Sequence, residues 1–247
     1  MPSKNVLDVY NLAVYAELYR NPIAGTPRII NYYEEAGQLT VIEEYISGTS
    51  LQDKISHADI APSDMLQYML DLCAILEQLH QHNPAIIHRD VKPSNVIITS
   101  YNRAVLLDFN AAKYHTAAKD SDTILLGTQG YAAPEQYGFG QSSPQTDIYS
   151  IGILLKEMAE ASHCQNPYID AVTAKCTQMN PAERYRSIGE LRQAFLANRG
   201  VFPYTHADQA FTGDLSGSSS NRSNAQTQND PGTSANHMQF APPGFRS

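Results

Sequence analysis

The chain has 247 residues, ordinary apolar content, a formal net charge of −8 and three cysteines. The acidic balance argues against nucleic acid as the main partner, and no apolar run reaches the ~18–20 residues of a membrane helix. Cys73, Cys164 and Cys176 are odd in number, widely spaced and without a CxxC pair, which favours free thiols in a reducing cytoplasm over a disulfide or zinc site.

In chain order, no signal peptide is expected at the start. LTVIEEYI (39–46) is β-branched and follows the turn-like EEAGQ, which predicts a strand running into a connector. A helix is predicted from Asp64 to His82, after Pro62, with Asp64 and Gln67 forming a capping box. Its Met65, Leu66, Met69, Leu72, Cys73, Leu76 and Leu79 recur at helical spacing and predict a core face. VIIT (96–99) and AVLLDF (104–109) flank the turn SYNR and read as a hairpin. Residues 147–161 read as a buried helix, apolar almost all round, and two amphipathic helices are expected over 166–178 and 187–197. Beyond Arg199 or Gly200 the composition shifts to Ser, Asn, Gln and Gly, as in GDLSGSSSNRSNAQTQNDPGTSANHMQF. Such a segment cannot bury enough surface to offset its ordering entropy, so 201–247 is expected to be a disordered tail.

The chemistry concentrates in IIHRDVKPSNVII (86–98), a charged, proline-broken loop between two apolar runs. It is followed by LLDFN (106–110), GTQGYAAPEQ (127–136), TDIYSIG (146–152) and NPAERY (180–185). In this order and at these spacings the set resembles the signature of the eukaryotic-type (Hanks-type) serine/threonine protein kinases, over about residues 20–200. The resemblance implies an α+β, protein-kinase-like fold. A mainly helical C-lobe would run from about residue 49, with a reduced, β-containing N-lobe before it; together they make one domain over 1–200.

The function it implies is transfer of the γ-phosphate of ATP to a serine or threonine hydroxyl of a protein substrate, with ATP and Mg²⁺ as cofactors. By resemblance, Asp90 accepts or orients the proton of the substrate hydroxyl and Lys92 contacts the γ-phosphate. Asn95 and Asp108 hold Mg²⁺, a hard cation suited to oxygen ligands. Ile97 forms the floor under adenine, and Thr128 hydrogen-bonds toward Asp90 and Lys92. His88 and Phe109 stack to join two loops, Glu135 and Arg184 form a buried ion pair, and Asp147 ties down the catalytic-loop backbone. Arg89 resembles the arginine that pairs with a phosphate on the activation segment, where Thr116, Ser121 and Thr123 are the candidate acceptors.

The sequence departs from the family pattern in four places. Asn110 stands where Gly is usual; Asn tolerates positive φ better than most residues. No GxGxxG occurs anywhere in the chain. Lys4 is weakly similar to the end of the strand carrying the nucleotide lysine, a solvated lysine being the alternative. Glu17 is the nearest candidate for its helix partner, though late relative to the PRII strand. Glu43 falls either at the position behind adenine, where a carboxylate needs a partner or a proton, or one register away. The alternative to an active kinase is therefore a pseudokinase or kinase fragment acting as an interaction module. A small-molecule kinase is disfavoured by the APE segment, Thr128 and Arg184, which build a peptide platform.

Overall fold

The computed structural model describes residues 6–115, 127–138, 140–164 and 166–201. The chain parts into two units, 1–209 and 210–247, and all the described residues lie in the first. The tail and the activation-segment residues Thr116, Ser121 and Thr123 are outside the described residues, as is Lys4.

Helix α1 (Val6–Arg20) leads to the antiparallel hairpin of β1 (Ile29–Glu35) and β2 (Gln38–Glu43). Glu35 faces Gln38 across a two-residue turn in which Ala36 and Gly37 both have positive φ, +51° and +78°. That geometry matches the twist of a tight hairpin. The strand expected to run into a connector over 39–46 does so at Glu43: the Glu44 amide still reaches the Arg28 carbonyl at 2.9 Å, and the chain then continues to β3 (Thr49–Ser50).

Ser50 caps the short α2 (Leu51–Ser56) by accepting a hydrogen bond from the Asp53 amide. Next comes the long α3 (Pro62–Gln81), whose first residue is proline, fixed at a φ already suited to a helix start. The predicted capping box is absent. The N-cap is Ala61, which has no side-chain oxygen, and the two polar residues bond elsewhere, Asp64 across the fold and Gln67 one turn along α3. Asp64 accepts from Asn102, and Gln67 donates to Asp71. The predicted core face is present in full: all seven of the apolar positions named above are buried, joined by Tyr68 and Ile75. Each such side chain contributes roughly 1.5–3 kcal/mol of burial.

Strand β4 (Ile86–Ile87) enters the loop at 88–95, and β5 (Val96–Ile98) with β6 (Ala104–Leu106) forms the expected hairpin, extended by β3 on the far side of β5. Strand β7 (Lys113–Tyr114) returns to pair with β4. Helix α4 (Pro144–Ala161) begins three residues earlier than predicted because Pro144 follows the N-cap Ser143. It is buried along most of its surface, with Lys156 and Glu160 on the exposed side. Helices α5 (Pro167–Cys176) and α6 (Ile188–Ala197) start at the side-chain caps Asn166 and Ser187. α4 and α5 approach so closely at Gly152 that an added Cβ would lie 2.4 Å from Cys176 Cβ. The loops bearing the polar motifs are thereby mounted on a core of α3 and α4.

Candidate active site

The loop at 88–95 is held from behind by one buried carboxylate. Asp147, in the first turn of α4 and fully buried, accepts the backbone N–H of His88 at 3.0 Å and of Arg89 at 2.8 Å. His80, from the last turn of α3, meets it at 2.8 Å. Burial pushes the Asp147 carboxyl up, but the bond and charge of His80 and the Arg89 amide outweigh this and hold it below the usual range. With its backbone so pinned, Arg89 takes a left-handed φ of +70°, a conformation few non-glycine residues adopt.

That turn presents Asp90 at the centre of a compact polar knot. Lys92 Nζ donates to Asp90 Oδ2 at 2.7 Å and to Thr128 Oγ1, also at 2.7 Å. The Thr128 hydroxyl donates in turn to Asp90 Oδ1 at 2.8 Å, and its amide reaches the same oxygen at 3.2 Å. Asn95 Nδ2 donates to the Asp90 backbone carbonyl at 2.9 Å and to its carboxylate at 3.1 Å. Desolvation raises the Asp90 pKa, yet the bonds from Lys92 and Thr128 and the lysine charge win, leaving the group ionised below the ordinary carboxylate range. The four residues named separately in the sequence are one hydrogen-bonded group.

Around it stand the supporting pairs. His88 and Phe109 are both buried and meet edge to face, ring centroids 4.9 Å apart, with His88 Nε2 3.1 Å from the Leu107 carbonyl. Burial holds the His88 imidazole below its ordinary pKa. Glu135 and Arg184 form a bidentate pair at 2.7 and 2.9 Å across 49 positions of sequence, both nearly inaccessible. Gly127 precedes Thr128 at a φ of +138°, and a Cβ there would lie 2.8 Å from both Ala132 Cβ and Gln136 Nε2. Gln136 itself donates to the Arg89 carbonyl at 2.9 Å.

Comparison with known proteins bears on this arrangement directly. The protein kinase domain model matches residues 20–195. The chain belongs to the protein kinase domain family. It is 30% identical over 227 residues to the serine/threonine-protein kinase PknB of Mycolicibacterium smegmatis, covering 77% of this chain and 36% of that one. It is 32% identical over 207 residues to serine/threonine-protein kinase D of Synechocystis, covering 72% and 40%. A leucine-rich repeat receptor-like serine/threonine-protein kinase of Arabidopsis thaliana is 38% identical over 136 residues, 53% of this chain and 16% of its own length. The kinase domain described here therefore spans well under half of each of these relatives.

Asn95 and Asp108 carry side-chain oxygens of the kind a hard cation such as Mg²⁺ takes. Asn95 uses its amide nitrogen on Asp90, which leaves its amide oxygen for a cation. Asp108 sits at a left-handed φ of +62° and accepts its own loop's Asn110 N–H on Oδ1 at 3.0 Å, leaving Oδ2. One carboxylate and one amide oxygen fit a cation that completes its shell with water and phosphate oxygens. Ile97 is half-buried in the middle of β5, opposite Ser50 and Val105.

Two candidates fare differently. Glu17 does not enter the cleft cluster: it pairs with His82 at 2.9 Å and takes a bond from Asn21. Its place late in α1 brings it over the end of α3, which is why it lies off the expected spacing. Glu43 is exposed at the end of β2, its pKa raised by partial desolvation and by the nearby charge of Asp108. Three contributors escape sequence reasoning: His80, Gln136 and Tyr15, whose hydroxyl donates to Asn110 Oδ1 at 3.1 Å. Each reaches the site through packing across long sequence distances; Gln136 lies inside the GTQGYAAPEQ stretch, and no local pattern marks His80 or Tyr15.

Proposed function

We propose that the chain transfers the γ-phosphoryl group of ATP to a serine or threonine hydroxyl of a protein substrate. The observation that carries this reading is the knot at Asp90, where a carboxylate kept ionised shares hydrogen bonds with Lys92, Thr128 and Asn95. In the proposed step the substrate oxygen attacks the γ-phosphorus, and the bond from that phosphorus to the β,γ-bridging oxygen breaks. ADP leaves with the electron pair, and the hydroxyl proton goes to Asp90. Lys92 steadies charge on the transferring group, and Thr128 fixes which Asp90 oxygen faces the hydroxyl. Bound at Asn95 and Asp108, Mg²⁺ would neutralise phosphate charge. Ile97 would supply the apolar surface beneath adenine, and Arg89 would pair with a phosphorylated activation segment.

The domain layout belongs to the same proposal: a kinase domain over 1–200, its helical lobe from about 49, and a tail over 201–247. So does a cytoplasmic location, for which the three cysteines, all free, give support. No helix among the described residues is long and apolar enough to cross a membrane.

A second reading, a binding module without transfer, is favoured by Glu17 being engaged with His82. Phosphate incorporation into a generic serine/threonine acceptor, measured with Mg²⁺ and ATP, separates the two. Asp90→Asn is expected to lower the rate by about 10²–10⁴-fold. A ligand that binds only the folded state raises stability by RT ln(1 + [L]/Kd). No transfer together with no rise in melting temperature at millimolar Mg-ATP would establish the binding-module reading instead.

A further inference from the structure

Asn110 and Tyr15 together suggest how the cation loop is held. Tyr15 is on the third turn of α1 and only 3% exposed, and its hydroxyl donates to Asn110 Oδ1 across 95 positions of sequence. Asn110 is exposed, and its backbone N–H is the donor that fixes Asp108 Oδ1. The path from helix to carboxylate is therefore two hydrogen bonds long. Burial, and then the charges of Asp108 and Glu43, hold the Tyr15 hydroxyl above the ordinary phenol range, so it remains a donor throughout the physiological pH range. A glycine at 110 would leave that donor without this acceptor, and a phenylalanine at 15 would release the asparagine oxygen to solvent.

We propose that Tyr15 is a positioning residue which, through Asn110, sets the orientation of the Asp108 carboxylate and so couples divalent-cation affinity to the seating of α1. The inference rests on Asp108 being a cation ligand, as the proposed function has it. α1 has other attachments that do not run through this path. The Tyr114 hydroxyl donates to the Ala13 carbonyl at 3.3 Å, and Glu17 meets His82. They serve as internal controls.

The test is a double-mutant cycle on the full chain with Tyr15→Phe, Asn110→Ala and the pair combined. The readout is Mn²⁺ affinity in the presence of ATP, measured by electron paramagnetic resonance; Mn²⁺ stands in for Mg²⁺. Outer partners of metal ligands are worth roughly 10–100-fold in affinity, so each single variant is expected to weaken Mn²⁺ binding about tenfold. The double variant should be no weaker than the worse single, because both changes cut one path. Tyr114→Phe, which loosens α1 elsewhere, should leave Mn²⁺ affinity within about twofold of the original chain. Original-chain binding with both single variants unchanged overturns the inference and leaves the proposed function standing, as does a double variant whose losses multiply. A fall in Mn²⁺ affinity for Tyr114→Phe equal to that for Tyr15→Phe also overturns it, since seating alone would then explain the loss. Absence of Mn²⁺ binding by the original chain removes the proposed function, and this inference with it.

Discussion

The buried pair of Glu135 and Arg184 permits a quantitative prediction. All five N–H donors of Arg184 are used: Nε to the Gln178 carbonyl at 2.8 Å, Nη1 to Glu135 Oε1 and the Gln145 carbonyl, Nη2 to Glu135 Oε2 and the Met179 carbonyl. Arg184→Met keeps the apolar stem and deletes the guanidinium. It strands a Glu135 residue that is 4% exposed, whose remaining side-chain donor among the described residues is the Thr146 hydroxyl at 2.9 Å. Breaking a buried pair from one side costs about 3–5 kcal/mol. With a urea m-value of roughly 2–3 kcal/mol/M for a domain of this size, the unfolding midpoint should fall by about 1.5 M. The chain has no tryptophan and 15 tyrosines, so tyrosine fluorescence and far-ultraviolet circular dichroism are the probes. Glu135→Leu with Arg184→Met should be less destabilised than the sum of the singles by about 2 kcal/mol or more, since no lone buried charge remains. A single-variant loss under about 1 kcal/mol, or strict additivity, would refute the reasoning.

Further predictions follow from neighbouring features. Gly127→Ala meets both a left-handed φ and contacts at 2.8 Å; it should cost about 1–3 kcal/mol and lower phosphate transfer, while Gly130→Ala, with open space around its Cβ position, keeps only the backbone penalty. Asp147→Asn turns an NH₂ toward one of the buried donors at His88 and Arg89, so a melting-temperature drop corresponding to about 3 kcal/mol is expected; an unchanged melting temperature would contradict the role given to Asp147. The His82–Glu17 pair should impose a pH dependence. The hydrogen bond to the Pro84 carbonyl and the Glu17 contact raise His82 above 6.5, so its contribution is full below 6.5 and fades as pH rises through the raised value. Glu17 is lowered from 4.5 by the bond from Asn21 and by His82, so its share is present above 4.5 and fades as pH falls through the lowered value. The stability difference between the original chain and His82→Ala should thus be largest between pH 4.5 and 6.5 and shrink toward pH 8.5; a flat difference would rule the pair out as its source.

The grouping of Asp90, Lys92 and Asn95 was legible because the three fall within six positions, and one turn brings them together. Core faces were legible for the same kind of reason, since α3 repeats its apolar residues at the helical period. What failed was reasoning about groups with more than one partner within reach. Asp64 and Gln67 have capping chemistry, but Asn102 and Asp71 offered them partners and Pro62 had already set the helix start. Glu17 has the charge expected of a cleft residue, yet its position along α1 turns it to His82. Nothing local in the sequence marks Tyr15, and only the packing of α1 over the loop brings its hydroxyl to Asn110.

The suspension of the catalytic loop from Asp147 has an evolutionary consequence. The groups that hold the loop's shape, Asp147, His80 and Gln136, are separate from Asp90 and Lys92, to which the proposed function gives the chemistry. A descendant that lost Asp90 and Lys92 would keep the groups that suspend the loop. Enzyme and scaffold would then be neighbours in sequence space, a few substitutions apart.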